Sequence, residues 1–193
     1  MQSKATALYR YVEWVGNPDS VSFTTNIYPY DTKLEVKFKY TDFVSGSAST
    51  IVGCGASPQI YYGGYIYTDG TFRFCLRDGT RSSSLGVADT NIHTTIVNDN
   101  HTSYWDGVAK QTSAKYVFNS VSTVPLRFFR RHNGIVGKGQ IYYVKVWDNL
   151  TGDLIGDFRP CVRTSDGVIG FHDLVTDTFL EPTGGTPTMG AYI

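Results

Sequence analysis

The chain has 193 residues, of which 41% are hydrophobic and 15% aromatic, and 17 Lys and Arg balance 17 Asp and Glu. This neutrality excludes a net field that would attract nucleic acid or an anionic membrane. No stretch approaches the roughly 18 apolar residues of a membrane-spanning helix, and the N-terminus lacks the apolar segment of an export signal. We therefore expect residues 1–193 to form one domain with a single core, without a signal peptide or transmembrane segment.

Alternation of apolar and polar residues predicts strands along the first half of the chain. Residues 8–15 and 20–25 are expected to form a hairpin across the turn at 16–19. Between positions 32 and 40 every second residue is apolar and the intervening ones are mostly charged, which predicts a strand with one wet face. A further hairpin is predicted at Asp69-Gly70, between strands at 59–67 and 71–77.

The second half continues as short strands and turns. Strands are predicted at 50–54, 91–97, 101–105, 108–111, 124–130 and 189–193. Residues 141–147 alternate, which places Tyr142, Val144 and Val146 on one face and Ile141, Tyr143, Lys145 and Trp147 on the other. A long hairpin then returns through 154–160, and the expected buried anchors of the following hairpin are Ile169, Phe171, Leu174 and Phe179.

About a dozen strands joined by turns are too many for one open sheet. They predict an all-β fold, an antiparallel sandwich of two sheets. The three cysteines, Cys54, Cys75 and Cys161, are expected to be buried thiols. A Cys54–Cys75 disulfide is the alternative if their strands pair.

Three segments near the C-terminus carry a family resemblance: Trp147-Asp148-Asn149, DFRPC at 157–161 and SDGVIGFHDLVTDTF at 165–179. With them, nearly the whole chain resembles the concanavalin A-like (laminin-G-like) jelly-roll domains of gut bacterial surface proteins and phage structural or tail proteins. The resemblance implies a jelly roll of two antiparallel sheets that binds glycans or builds an adhesive or virion surface. The fold alone identifies no ligand.

Catalytic patterns are absent from the sequence. A glycosidase requires two carboxylates flanking the scissile bond. The chain has three glutamates, Glu13, Glu35 and Glu181, and none of them has a second carboxylate at the required spacing. Asp153 and Asp157 share a predicted strand face with Arg159, which is the expected ion-pair partner. The histidines are scattered and show no local motif of a nucleophile or base. We therefore predict that the protein is not an enzyme.

Aromatic residues near turns are the candidate ligand-binding groups, because sugar rings stack on aromatic faces. The candidates are Tyr61, Tyr62 and Tyr65 around Gly63-Gly64, and Tyr104, Trp105 and Asp106 at a turn. Core packing is the competing interpretation for Trp105 and Trp147, since half of the positions on a strand are buried.

We predict no cofactor. Calcium is an alternative, because aspartates in loops can ligate it. Turn formation already explains the positions of these aspartates. They are Asp99, Asp106, Asp166, Asp173 and Asp177. A basic cluster is interpreted as a solvated loop end rather than a nucleic-acid site, since the chain is neutral: Arg127, Arg130, Arg131, His132 and Lys138.

The prediction from these patterns is a non-catalytic surface-recognition module that binds a glycan or host-surface carbohydrate, on a phage virion or bacterial surface. The first alternative is a phage structural protein, such as a capsid decoration or fibre component, that contacts other virion proteins or forms a homo-oligomer. The second alternative is a glycoside hydrolase. Neither nucleic acid nor membrane is an expected partner.

Overall fold

The structure, a computed structural model, describes residues 7–18, 20–41, 49–57, 60–66, 70–76, 81–87, 89–99, 101–112, 123–130 and 137–193. All regular elements in these ranges are β-strands, and none of the described residues belongs to a helix that could cross a membrane. Eleven strands form the larger sheet: β1 (Tyr9–Tyr11), β2 (Val15–Asn17), β4 (Thr32–Tyr40), β9 (Ile92–Asp99), β10 (Thr102–Trp105), β11 (Val108–Thr112), β13 (Gly139–Asp148), β14 (Leu154–Arg163), β15 (Ile169–Asp173), β16 (Thr178–Leu180) and β18 (Thr188–Met189). Seven form the smaller sheet: β3 (Ser22–Thr24), β5 (Ser49–Ser57), β6 (Ile60–Ile66), β7 (Thr71–Leu76), β8 (Arg81–Val87), β12 (Arg127–Phe128) and β17 (Pro182–Thr183).

Both sheets are antiparallel, which confirms the predicted fold class. The larger sheet has the order β11-β10-β9-β4-β13-β14-β15-β16, with β1, β2 and β18 paired at its side. The smaller sheet has the order β17-β3-β12-β5-β6-β7-β8. This non-sequential strand order makes the protein a two-sheet, jelly-roll-like sandwich.

Aromatic side chains fill the space between the sheets. Phe128 of the smaller sheet meets Phe158 and Phe171 of the larger sheet edge to face, with ring centroids 5.2 and 5.0 Å apart. Toward the other edge, Phe38 stacks on Phe72 at 5.2 Å. All five rings are fully buried, so the two sheets share a single aromatic core.

Strand β4 confirms the prediction for residues 32–40. Its alternate residues Leu34, Val36, Phe38 and Tyr40 are buried, whereas the residues between them are half-buried. Because β4 lies between β9 and β13, its charged residues lie on the outer face of the larger sheet, away from the core.

Strand β13 departs from the predicted alternation. The pairing with β4 shifts register between Ile141 and Tyr143, and such a bulge adds one residue to one strand. Ile141, Val144 and Val146 are therefore the core residues, and Tyr142 and Tyr143 are both half-buried. The prediction that Tyr142 shares a face with Val144 and Val146 is wrong for this reason.

The N-terminal hairpin prediction is also wrong. Residues 8–15 divide into β1, which pairs with β14, and the start of β2, which pairs with β13. Strand β3 lies in the other sheet, so the chain passes from the larger to the smaller sheet between Asn17 and Ser22. Leu174, predicted to be an anchor, is 48% exposed because it lies in the turn between β15 and β16.

Strand β6 separates the strands of Cys54 and Cys75. Cys54 lies on β5 opposite Tyr62, and Cys75 lies on β7 opposite Gly63. Two strand spacings amount to about 9.6 Å, whereas a disulfide requires Cα atoms within roughly 7 Å. The condition for a Cys54–Cys75 disulfide, direct pairing of the two strands, is therefore not met.

Candidate functional site

Three loops meet at one end of the larger sheet and enclose a cavity of about 300 Å³. They precede β4, follow β9 and connect β13 with β14. Because β4 runs antiparallel to both β9 and β13, its first residue lies beside the last residues of its two neighbours. The lining residues of this cavity, which we call the Trp147 cavity, are Asp31, Lys33, Asp99, His101, Trp147, Asp148, Asn149, Leu150 and Gly152.

Asn149 connects the three loops. Its Nδ2 atom donates to Asp31 Oδ1 and to the Asn98 carbonyl oxygen, both at 3.0 Å. Its backbone N–H donates to the Asp31 carbonyl oxygen at 2.9 Å. The Asp31 carboxylate, 4% exposed, is thereby fixed in position at the base of the cavity.

Trp147 forms an aromatic wall of the Trp147 cavity. It is half-buried at the end of β13, and the Lys33 Nζ atom lies 4.3 Å from its ring centroid. Lys33 Nζ also lies 3.5 Å from Asp99 Oδ1. The ring face and the carboxylate together hold the ammonium group at the cavity wall by cation–π and ionic attraction.

The β13–β14 loop has well-defined turn geometry. Asp148 Oδ1 accepts a hydrogen bond from the Leu150 N–H at 2.7 Å, and the Asp148 carbonyl accepts one from the Gly152 N–H at 2.8 Å. Gly152 has φ of 81°, a left-handed conformation that glycine adopts without strain. The loop therefore presents Asp148, Asn149 and Leu150 at fixed positions.

The donor set of the Trp147 cavity suits a ligand rich in hydroxyl groups. Carboxylate and amide oxygens accept from hydroxyl groups, the Lys33 ammonium donates to them, and the indole packs against C–H groups. The sequence did identify the Trp147-Asp148-Asn149 triplet as distinctive, but not as a binding site. Asp31 and Asp99 are distant in sequence and join the triplet only through the strand order.

The outer face of the larger sheet continues from this cavity along β13. Tyr143 donates a hydrogen bond to Glu35 Oε1 at 2.7 Å. Burial, followed by this bond to Glu35, raises the pKa of Tyr143 to about 12. Further along, Tyr142 joins Tyr11 and Arg159 at a second cavity of about 250 Å³.

The six residues predicted from the sequence to bind ligand do not form one surface. Tyr62, Tyr65 and Trp105 are at most 7% exposed. The Tyr62 ring packs edge to face on Phe74, and its hydroxyl lies 3.1 Å from Thr32 Oγ1. Since these rings belong to the core, we assign no ligand contact to them.

Of the other three, Tyr104 is half-buried on β10 and Asp106 is exposed in the turn after it. Asp106 Oδ2 lies 2.8 Å from His93 Nδ1, and its Oδ1 accepts from the Thr94 N–H. The carboxylate thus has a structural role in this turn. Tyr61 lies on β6, and its side chain is outside the described residues; a ligand contact for these three stays a prediction.

The remaining polar candidates have protein partners. Asp157 forms the predicted ion pair with Arg159, with Oδ1 2.7 Å from Nε. Within the described ranges, no group of three or more His, Cys, Asp or Glu is arranged to hold a metal ion. Calcium binding stays a prediction.

The predicted basic cluster lies partly outside the described residues, at 131 and 132.

Comparison with known proteins supports the fold. No protein-family model and no curated protein matches the chain. A crystal structure from Bacteroides ovatus, of a protein provisionally designated as carbohydrate binding, is similar with a TM-score of 0.64 and 14% sequence identity. The match covers 95% of this chain and 62% of that one, so the chain spans less than two thirds of its neighbour's length. At this identity the similarity shows that the chain shares a two-sheet β-sandwich fold with the B. ovatus protein.

Proposed function

We propose that the protein is a non-catalytic module that binds a carbohydrate in the Trp147 cavity. The observation that carries the proposal is the position of the Trp147 indole beside fixed carboxylate and amide groups, in a cavity of about 300 Å³. An aromatic wall surrounded by hydroxyl-binding groups is the chemistry that a sugar ring requires.

In this arrangement each lining group has a defined part. The C–H face of a sugar ring packs against the indole of Trp147. Both Nδ2 hydrogen bonds of Asn149 go to protein atoms, which leaves Oδ1 to accept from a ligand hydroxyl. Lys33 donates to a ring or hydroxyl oxygen, and Asp148 accepts from one.

The B. ovatus structure gives independent support, since a sandwich of similar fold is designated as carbohydrate binding. The resemblance to glycan-binding jelly rolls points in the same direction. A role as a virion component rests on that resemblance alone and stays a prediction. A surface location on a phage or bacterium likewise rests on that resemblance and stays a prediction.

The proposal is tested by screening the full chain on a glycan array and measuring the positive glycans by isothermal titration calorimetry. Replacing Trp147 with Ala should weaken binding by roughly 5- to 150-fold, because stacking of a ligand ring on an aromatic side chain contributes on the order of 1–3 kcal/mol. The matched control is Tyr192→Ala, which removes an exposed aromatic ring that contacts Arg10 instead.

Circular dichroism should show both variants folded, because neither ring belongs to the buried core. Binding of no glycan by the wild-type chain would contradict the proposal. Equal affinity of the wild type and the Trp147→Ala variant would place binding elsewhere.

A further inference from the structure

The outer face of strands β4, β13 and β14 carries an excess of positive charge in a chain whose total charge is zero. On β4 and β13 the charged residues of this face alternate with buried residues. On β14 the face carries Asp157, which is itself buried, and the half-buried Arg159 and Arg163. Six are basic and two acidic: Lys33, Lys37, Lys39, Lys145, Arg159 and Arg163, against Glu35 and Asp157. Arg163 is paired with Asp166 and Glu181 in the neighbouring loops.

Three of the lysines have no close ion pair of their own. Lys145 Nζ lies 3.9 Å from Asp157 Oδ2, but Arg159 already binds that carboxylate through Nε at 2.7 Å and through its NH2 group at 3.3 Å. Lys37 Nζ lies 5.6 Å from the Tyr142 ring centroid. Within the described part of the chain, no carboxylate oxygen lies within 4 Å of the ammonium group of Lys37 or Lys39.

Protection of a sheet edge does not explain these lysines. Exposed edge strands often carry Lys to prevent pairing with other chains, whereas β4 and β13 are interior strands of the larger sheet. Lys37 and Lys39 lie on the same face two residues apart, about 7 Å along the strand. Their mutual repulsion is relieved when an anion binds between or above them.

The same face carries the aromatic side chains that follow the Trp147 cavity. From Trp147 to Tyr142, β13 spans about 17 Å, a length that accommodates an oligosaccharide of several rings. Tyr143 lies between them, and Lys145 lies between Tyr143 and Trp147. One basic side chain, Lys145, therefore lies among the aromatic side chains of this strand, next to the proposed sugar cavity.

We propose that this face binds an acidic oligosaccharide. One sugar occupies the Trp147 cavity, and the carboxylate or sulfate groups of the following sugars lie over Lys145, Lys37 and Lys39. This inference rests on the proposed function and adds the charge class of the ligand. A nucleic acid fits less well, because the carboxylates of Asp31, Asp99 and Asp148 accept hydrogen bonds from hydroxyl groups, and a sugar presents more hydroxyl groups than a nucleotide does.

The test compares oligosaccharides that differ only in charge. Calorimetry on the full chain would use oligogalacturonate and its methyl ester, and chondroitin sulfate oligosaccharide and its desulfated, carboxyl-reduced form. We expect at least one acidic oligosaccharide to bind about tenfold tighter than its neutral form, and this preference to fall as salt rises from 50 to 500 mM, roughly.

A variant that replaces Lys37, Lys39 and Lys145 with Gln should bind the acidic and neutral forms with similar affinity. Lys110→Gln is the matched control, since Lys110 is an exposed lysine on β11 at the edge of the same sheet. All three replaced side chains lie outside the buried core, and thermal denaturation verifies the fold of both variants.

The possible outcomes separate this inference from the proposed function. If neutral glycans bind through Trp147 and no acidic form binds more tightly, the acidic-ligand inference fails and the proposed function stands. If no glycan of either kind binds, the proposed function fails. Equal binding of oligothymidylate and the acidic oligosaccharide, both lost in the lysine variant, would replace a sugar with a nucleic acid as the ligand.

Discussion

His93 illustrates how a buried polar side chain of this protein is stabilised by hydrogen-bond partners. It is 8% exposed, and its ring lies 4.5 Å from that of Trp105. Its Nδ1 contacts Asp106 at 2.8 Å and its Nε2 contacts Asp89 at 2.9 Å. A polar ring at the margin of the core is thus satisfied at both nitrogens, as buried polar groups generally are.

Asp89 supports a prediction about acid stability. The Asn91 backbone N–H, and after it His93, hold the pKa of the Asp89 carboxyl below its usual range. A lowered pKa stabilises the fold above the pKa of the unfolded state and ceases to do so as pH falls through the folded value. Asp89→Asn should therefore lower Tm at pH 7, and the decrease should be smaller at about pH 3, which lies below the ordinary pKa of an Asp side chain.

Circular dichroism melting at both pH values measures this difference. Asp153→Asn is the control, since no hydrogen bond to the Asp153 carboxylate is found within the described residues. A Tm decrease for Asp89→Asn of equal size at both pH values would contradict the electrostatic explanation.

At the scale of the strands, alternation predicted the elements whose two faces differ strongly. Strand β4 is such a case, since lysines and apolar residues alternate along it. Strand β8, with the sequence RSSSLGV, was not predicted, because its one large buried apolar residue is Leu85. Tyr62, Tyr65 and Trp105 could not be assigned to a face, since neighbouring glycines or a short strand leave no clear alternation around them.

The contact between β8 and β10 allows a test of packing across the sandwich. A Cβ atom at Gly86 of β8 would overlap the Trp105 ring of β10, so only glycine permits this close approach. Gly86→Ala should destabilise the fold by roughly 1–3 kcal/mol through overpacking. Urea unfolding measures the loss. Gly107→Ala, at a turn with φ of 78° and no neighbour within 4 Å, shows separately what backbone strain costs without an overlap.

Relief of the overlap gives a sharper check of the same contact. Combining Gly86→Ala with Trp105→Leu should destabilise less than the sum of the two single changes, because a smaller partner accommodates the methyl group. Strict additivity would show that Gly86 is required for another reason.

At the scale of the whole molecule, Phe128 joins the sheets. It belongs to a two-residue strand of the smaller sheet, yet contacts Phe158 and Phe171 of the larger one. Phe128→Ala should reduce the free energy of unfolding by about 3–5 kcal/mol. Val108→Ala, at a residue 56% exposed, should change it by less than about 0.5 kcal/mol.

Denaturation monitored by tryptophan fluorescence and by far-ultraviolet circular dichroism tests whether both sheets respond together. Coincident transitions are expected, because one core serves both sheets. If the smaller sheet unfolds first in the Phe128→Ala variant, the sheets have separate stability.

The sequence predicted the sandwich but not the candidate site, for a physical reason. Fold class follows from patterns within each segment, whereas the Trp147 cavity joins residues 31, 99 and 147–152 through strand order. Periodicity carries no information on which strands become neighbours. The Trp147-Asp148-Asn149 triplet and the loop carboxylate Asp99 were both noted in the sequence, but nothing in the sequence joined them.

The bulge in β13 shows how the outer face acquired two adjacent tyrosines. Substitution alone cannot turn consecutive residues of a regular strand toward solvent, since one of them must enter the core. A bulge at Tyr142 does allow two consecutive residues to face outward, and it leaves Ile141 and Val144 facing the core. Deleting Tyr142 would therefore remove one tyrosine from the outer face and restore regular alternation along β13, while the same residues would continue to face the core.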